Sequence, residues 1–167
     1  MSQILTLRRA RTDDQEFLYR LFCSVHSEKL QLVSLNPEEK NRLIELMYQG
    51  FNRHYSTLAP ASDDRVVLLN NESIGRMILL QMSKEIRLAD LAILPEYRQR
   101  GIGSALIGQL QAESMMSKRP VRLQVPHFDR ALRLYQRLGF YKIDTVGPYL
   151  HLEWSSRGAL KIKGAPQ

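Results

Sequence analysis

Along this chain the spacing of apolar and polar positions changes several times, and each change marks an element. Residues 4–9 (ILTLRR) alternate and predict a strand. Phe17, Leu18, Leu21, Phe22 and Val25 then recur at helical spacing, and Thr12 with Gln15 predicts a capping box at the start of that helix. Residues 27–35 read as a connection. Asn36-Pro37-Glu38-Glu39 opens a second helix, with Asn as N-cap, Pro at the first helical position and acids in the first turn. Leu43, Ile44, Met47 and Phe51 form its apolar face, and it runs to His54 and Tyr55. Residues 65–69 and 74–82 read as strands joined at Asn70-Asn71, a pair that suits the positive φ of a tight hairpin.

Next comes EIRLADLAILPEYRQRGIGSALIG, residues 85–108, on which the rest of the pattern turns. Its apolar run 88–94 predicts a buried strand, and Pro95 ends it because proline has no N–H for a sheet ladder. A basic turn with Arg98, Gln99 and Arg100 leads through Gly101-Ile102-Gly103 into Ser104 and a helix whose Ile102, Ala105, Leu106 and Leu110 share a face. The first turn of a helix has N–H groups without internal partners, and the helix dipole adds positive charge there. Gly101 and Gly103 let that backbone approach an oxygen-rich ligand, so a diphosphate is the expected guest. The stretch is not a P-loop, since no Gly-Lys-Ser/Thr follows, nor a dinucleotide fingerprint, since Leu106 replaces the third glycine.

Beyond this helix, which ends near Ser117 before Lys118-Arg119-Pro120, residues 121–125 read as a strand parallel to 85–94, because a helix crosses between them. Residues 128–138 read as a helix closed by Gly139, 140–143 as a strand, Gly147-Pro148 as a turn and 149–154 as the last strand. The order is β-α-α-β-β-β-α-β-α-β-β, an α/β fold with a mixed sheet. One domain is expected over 1–154, followed by a basic tail at 155–167.

The segment Leu94-Pro95-Glu96-Tyr97-Arg98-Gln99-Arg100-Gly101-Ile102-Gly103 resembles the acyl-CoA loop of the GCN5-related N-acetyltransferases (GNAT), whose pattern is Arg/Gln-x-x-Gly-x-Gly/Ala. Leu134-Tyr135-Gln136-Arg137-Leu138-Gly139-Phe140 is similar to a second element of that family. The resemblance covers residues 4–154 and is strongest over 85–143. It implies a GNAT-like fold and transfer of an acetyl group from acetyl-CoA to a primary amine, by direct attack in a ternary complex. By the same resemblance the pyrophosphate would rest on backbone N–H groups from Gln99 to Ser104. Leu91, Ala92 and Ile93 would pair with the pantetheine arm as if it were an added strand, and Arg98 and Arg100 would attract the phosphates. Tyr135 would approach the CoA sulfur and assist the leaving thiolate. Phe128 stands where many relatives carry a cofactor-contacting asparagine, with Asp129 as a substitute if the helix cap is shifted. The connection and second helix would wall the acceptor, which makes Glu28, Gln31, His54 and Tyr55 candidates for binding it. The alternative function is a non-catalytic CoA-binding or partner-binding module on the same scaffold.

An amine must be neutral to attack a thioester. A lysine-like amine is neutral in fewer than about one molecule in a thousand at pH 7, so a base or a water relay matters. Glu85 and Asp90 are the carboxylates on the central strand, and alternation puts them on opposite faces. Asp90 lies among apolar neighbours, where a carboxylate must be paired or carry a raised pKa, and a structural pair is the expectation.

Composition narrows the picture further. The 167 residues carry 44% hydrophobic and 25% charged side chains, as a globular domain does, with a net charge of +7. No basic run is interleaved with aromatics, which speaks against a nucleic-acid partner. No run approaches the ~18 apolar residues of a membrane span, and no secretory leader is legible. The single Cys23 has no partner for an internal disulfide and no visible activating base, so a reducing cytoplasm is expected and an acyl-cysteine route is not. His26, His54, His127 and His151 are scattered, and no metal is expected. A homodimer through the terminal strands is possible in such a family, with 149–154 as the suspect.

Overall fold

A computed structural model describes residues 3–158. The elements are β1 (Leu5–Arg9), α1 (Gln15–Lys29), α2 (Pro37–Thr57), β2 (Ser62–Leu69), β3 (Glu72–Gln81), β4 (Ile86–Ile93), α3 (Ile102–Ser117), β5 (Val121–Pro126), α4 (Ala131–Arg137), β6 (Tyr141–Val146) and β7 (Tyr149–Trp154). The strands form one mixed sheet in the order β1-β2-β3-β4-β5-β7-β6. The expected α/β class and strand–helix order are present. The described residues group into two compact units, 3–78 with 90–99 and 79–89 with 100–158.

In the first unit β1 and β2 pair antiparallel from Leu5↔Leu69 to Arg9↔Arg65. Asn70 and Asn71 take φ of 51° and 68°, the left-handed pair expected for the hairpin into β3. Val66, Val67, Leu69, Ile74, Met77 and Ile78 are buried, as are Leu18, Leu21 and Phe22 of α1 and Ile44 of α2. The α2 cap forms as expected: Asn36 Oδ1 accepts from the Glu39 N–H and Glu39 Oε2 accepts from the Asn36 N–H, both at 2.9 Å. The α1 cap does not. Thr12 to Asp14 form a 3-10 turn, and it is Asp14 that accepts from the Arg11 N–H at 2.7 Å and from the Arg8 guanidinium at 2.7 Å. Asp14 thus makes the back-bond to the chain ahead of the helix that was expected of Gln15, and a carboxylate is a stronger acceptor there than an amide. The helix also continues through Lys29, past the expected start of the connection.

In the second unit β4 pairs parallel with β5 over Ile86↔Val121 to Leu88↔Leu123, as the crossover helix requires. β7 pairs antiparallel with β5 on one side and β6 on the other. Ile86, Leu88, Leu106, Ile107, Leu110, Val121, Leu123, Phe140, Leu152 and Trp154 make the core. Gly139, at φ 89°, closes α4 as expected. α4 itself starts at Ala131, three residues later than the spacing suggests. The Asp129 side chain accepts from the Ala131 N–H at 2.8 Å, which sets the helix start after it. β6 runs on to Val146 with a register shift between Lys142 and Asp144, three residues beyond its expected end.

Of the expected tail, 159–167 lie outside the described residues. Residues 156–158 form a helical turn, with the Gly158 N–H donating to Ser155 Oγ at 3.0 Å. Among the described residues no helix is long and apolar enough to cross a membrane.

Candidate active site

The segment after β4 has the local geometry that its glycines and proline suggest. Leu94 is buried, Pro95 to Tyr97 form a 3-10 turn, and Gly101 adopts φ 78° immediately before α3. Gln99 also takes a left-handed φ of 59°, a conformation that costs a non-glycine residue roughly 1–2 kcal/mol. Two left-handed residues so close together curl the backbone sharply into the helix. Among the described residues no side chain caps α3 and no acid lies in its first turn, so no side-chain acceptor from that turn meets the N–H groups of Ile102, Gly103 and Ser104. Ile102 anchors this turn in the core. A Cβ on Gly103 would stand 3.3 Å from Leu134 Cδ2, so this glycine also permits a close approach of side chains from α4.

Arg98 does not project freely from the turn. Its Nε donates to the Ile93 carbonyl at 2.9 Å and its Nη1 to Glu28 Oε2 at 2.6 Å. Arg98 was expected to face phosphate and Glu28 to face the acceptor, yet the two pair with each other across 70 residues of sequence. Both are more than a third exposed, so the pair contributes at most about 1 kcal/mol. What it does is tie the turn after β4 to the end of α1. Arg100 is exposed.

The apolar run of β4 is not buried throughout. Ile86 and Leu88 are buried, whereas Ala89 to Ile93 are only half-buried. Leu91, Ala92 and Ile93 therefore combine apolar side chains with partial exposure, as a ligand-facing strand would. On β3, Gly75 lies directly against this segment: a Cβ there would stand 2.5 Å from the Ala92 carbonyl oxygen and 2.6 Å from Ile93 Cδ1.

Asp90 overturns the expected structural pair. Among the described residues its carboxylate has no salt bridge or hydrogen bond, because the nearby guanidinium, Arg76, is taken by Asp64 at 2.8 and 2.6 Å. Burial pushes the Asp90 pKa up to about 6, with Arg76 and Lys29 drawing it down and Asp64 adding to the rise. The residue as a whole is half-buried, but its acid group is desolvated. Arg76 is 8% exposed and lies 5.0 Å from the centre of the Phe51 ring, which packs against the Tyr55 ring in a tilted arrangement at 4.7 Å. Burial raises the Tyr55 phenol, and the charge of Asp90 raises it further. The structure thus gathers Asp90 and Tyr55 from the candidates, and adds Arg76, Asp64, Phe51 and Lys29, which the sequence reading did not select. An arginine and a glycine inside the apolar stretch Ile74-Gly75-Arg76-Met77-Ile78 were the available signal.

Glu85 is placed differently. Its buried carboxylate accepts from Arg87 at 2.6 and 3.0 Å and from Arg122 at 2.7 Å, and Arg122 continues to Glu153 at 2.8 Å. Both oxygens of this carboxylate are thus engaged by guanidinium groups. Tyr135 is 8% exposed and meets Phe140 edge-on at 5.5 Å. Phe128 is 86% exposed and precedes α4 rather than lying in it. His54 and Gln31 are exposed, His54 against the Tyr55 ring at 5.1 Å.

Comparison with known proteins agrees with this architecture. The profile of the acetyltransferase (GNAT) domain family matches residues 62–142, from β2 to the start of β6. Among solved structures, the PaiA N-acetyltransferase of Thermoplasma acidophilum in complex with coenzyme A is similar at 22% identity, with a TM-score of 0.65 over 91% of this chain and 99% of that one. An acetyltransferase of Thermus thermophilus is similar at 18% identity, with a TM-score of 0.66 over 90% and 96%. The spermidine N-acetyltransferase of Vibrio cholerae in complex with CoA and spermine is similar at 18% identity, with a TM-score of 0.64 over 93% and 98%. No curated protein is close enough in sequence to count as a match. Residues 62–142 match the GNAT acetyltransferase domain family, and the fold of the chain is that of the solved acetyltransferases.

Proposed function

We propose that this protein is an N-acetyltransferase that moves an acetyl group from acetyl-CoA to a primary amine by direct attack in a ternary complex. The observation that carries the proposal is the turn after β4, where left-handed Gln99 and Gly101 deliver the backbone into a helix start with no side-chain cap and no acid. That arrangement suits a diphosphate. The cofactor, when bound, supplies an activated acyl thioester. The backbone from Gln99 to Ser104 would hold its pyrophosphate, with Arg100 adding attraction. Main-chain groups of Leu91, Ala92 and Ile93 would hold the pantetheine arm, and an N–H near Ala92 or Ile93 would donate to the carbonyl oxygen as charge develops there. We assign Asp90 as the base, directly or through water, because a desolvated acid near pKa 6 is ionised at neutral pH and close enough to it to exchange a proton. Tyr135 remains the proposed donor to the leaving sulfur. Arg98 and Glu28 act together to hold the turn. The lone Cys23 suits a cytoplasmic setting.

A single substitution separates cofactor binding from folding. Ser104 is the third residue of α3, and Ser104→Glu puts an acid in a first turn that has none. Without ligand the variant should be more stable than the parent by about 0.3–1 kcal/mol, because the acid favours the helix dipole. With saturating acetyl-CoA the parent Tm should rise by mass action, and the variant should show little or no rise, because the new carboxylate repels the diphosphate. Equal shifts in the two proteins would remove the phosphate role of this turn. No shift in the parent would remove the acetyltransferase reading.

A further inference from the structure

Resting on the acetyltransferase reading above, we propose that the acceptor is a monoamine with an apolar, ring-sized body, and that polyamines are poor acceptors. The charged groups around Asp90 balance. Asp64 is committed to Arg76 at 2.8 and 2.6 Å. Lys29 of α1 also exerts its charge on Asp90. With Asp90 and Asp64 against Arg76 and Lys29, there is no surplus of negative charge, and among the described residues Asp90 is the acid of this group without an ion pair. One ammonium can be matched by one carboxylate. Each further ammonium of a polyamine would have to meet carboxylates already paired with arginine. Drawing Asp64 away would leave Arg76 buried without its partner, and uncompensated buried charges are among the costliest defects a protein can carry.

What surrounds the carboxylate is suited to an apolar body. Phe51 and Tyr55 offer two rings packed against each other, and one of them already takes a guanidinium at 5.0 Å from its centre. Immediately after Lys29, the loop to α2 displays apolar side chains to solvent, with Leu32 98% exposed and Val33 41% exposed. Exposed leucine and valine at the end of α1 gain nothing from a ligand clothed in charge, and bury well against an aryl or alkyl group.

The test uses the full chain with saturating acetyl-CoA and follows released thiol with phenethylamine and with spermidine as acceptors. Phenethylamine should show a kcat/KM at least tenfold above that of spermidine. In Lys29→Gln, which leaves one negative charge in excess, the ratio should move toward spermidine by several-fold. A parent that uses spermidine as well as or better than phenethylamine overturns the proposal, and so does a ratio unchanged in Lys29→Gln. A parent that is stabilised by acetyl-CoA but turns over neither amine overturns this acceptor class while leaving the cofactor reading in place. Absence of the cofactor shift strikes the acetyltransferase reading itself.

Discussion

Asp90→Asn should make the protein more stable and far less active at pH 8. In the folded chain burial raises this acid from its usual 3.8 to about 6. Between those values the folded state holds a proton that the unfolded chain has released, so stability falls as pH rises from about 4 to about 6 and then levels off. The two pKa values differ by about two units, which corresponds to a cost on the order of 3 kcal/mol at pH 7 and above. Asparagine is neutral throughout and escapes that cost. The Tm of the variant should therefore match the parent near pH 4 and exceed it by several degrees at pH 8. If Asp90 is the base, kcat/KM should drop by about 10²- to 10⁴-fold, and the inflection near pH 6 in the parent's profile should vanish. Lys29 on α1, Tyr55 on α2, Asp64 on β2 and Arg76 on β3 all face this acid, and substituting any of them moves the inflection. An active variant with an unchanged profile removes Asp90 from the chemistry. A variant of unchanged stability at every pH removes the desolvation account.

Gly75→Ala should be the most damaging single methyl group in the first unit. Alanine normally suits a strand better than glycine does, so the intrinsic preference alone predicts a gain of about 0.5–1 kcal/mol. At this position the added carbon would lie 2.5 Å from the Ala92 carbonyl oxygen, and backbone cannot swing aside as a side-chain tip can. Overpacking of this kind costs about 1–3 kcal/mol, which for a chain of this length lowers Tm by roughly 5–10 °C. The displaced residues are those assigned to the pantetheine arm, so stabilisation by acetyl-CoA should weaken as well. Gly108→Ala is the opposing control: it lies in α3 with nothing within 4 Å of the new carbon, and should stabilise by about 1 kcal/mol. Thermal unfolding of the two variants side by side tests both signs. Equal behaviour would mean that β3 and β4 are not in the close contact described.

Elements specified by neighbouring residues were legible in the chain. Asn36 and Glu39 cap α2 because the two groups are three residues apart, and Asn70-Asn71 turn because asparagine tolerates positive φ. Gly101 and Pro95 bracket the turn after β4 for the same local reason. Boundaries set by a side-chain contact were misplaced: Asp14 takes the Arg11 N–H and leaves Thr12 in a 3-10 turn ahead of α1, and Asp129 takes the Ala131 N–H ahead of α4. Both outcomes depend on which nearby N–H an acid engages, and spacing does not settle that.

By itself, then, the sequence determined the order of elements, the family resemblance and the glycine turn before α3, because helix starts, hairpins and anion-binding turns are made within a few residues. It also placed carboxylates on the central strand, but not their roles. Their partners were decided only by tertiary structure. Glu85 is engaged because Arg122 of β5 reaches it. Asp90 was left uncommitted because Asp64 of β2 reaches Arg76 of β3 first. Arg98 and Glu28 joined across 70 residues. The charge state of an acid depends on which cation is closest and how much water remains, and both are properties of packed strands and helices rather than of the stretch in which the acid is written.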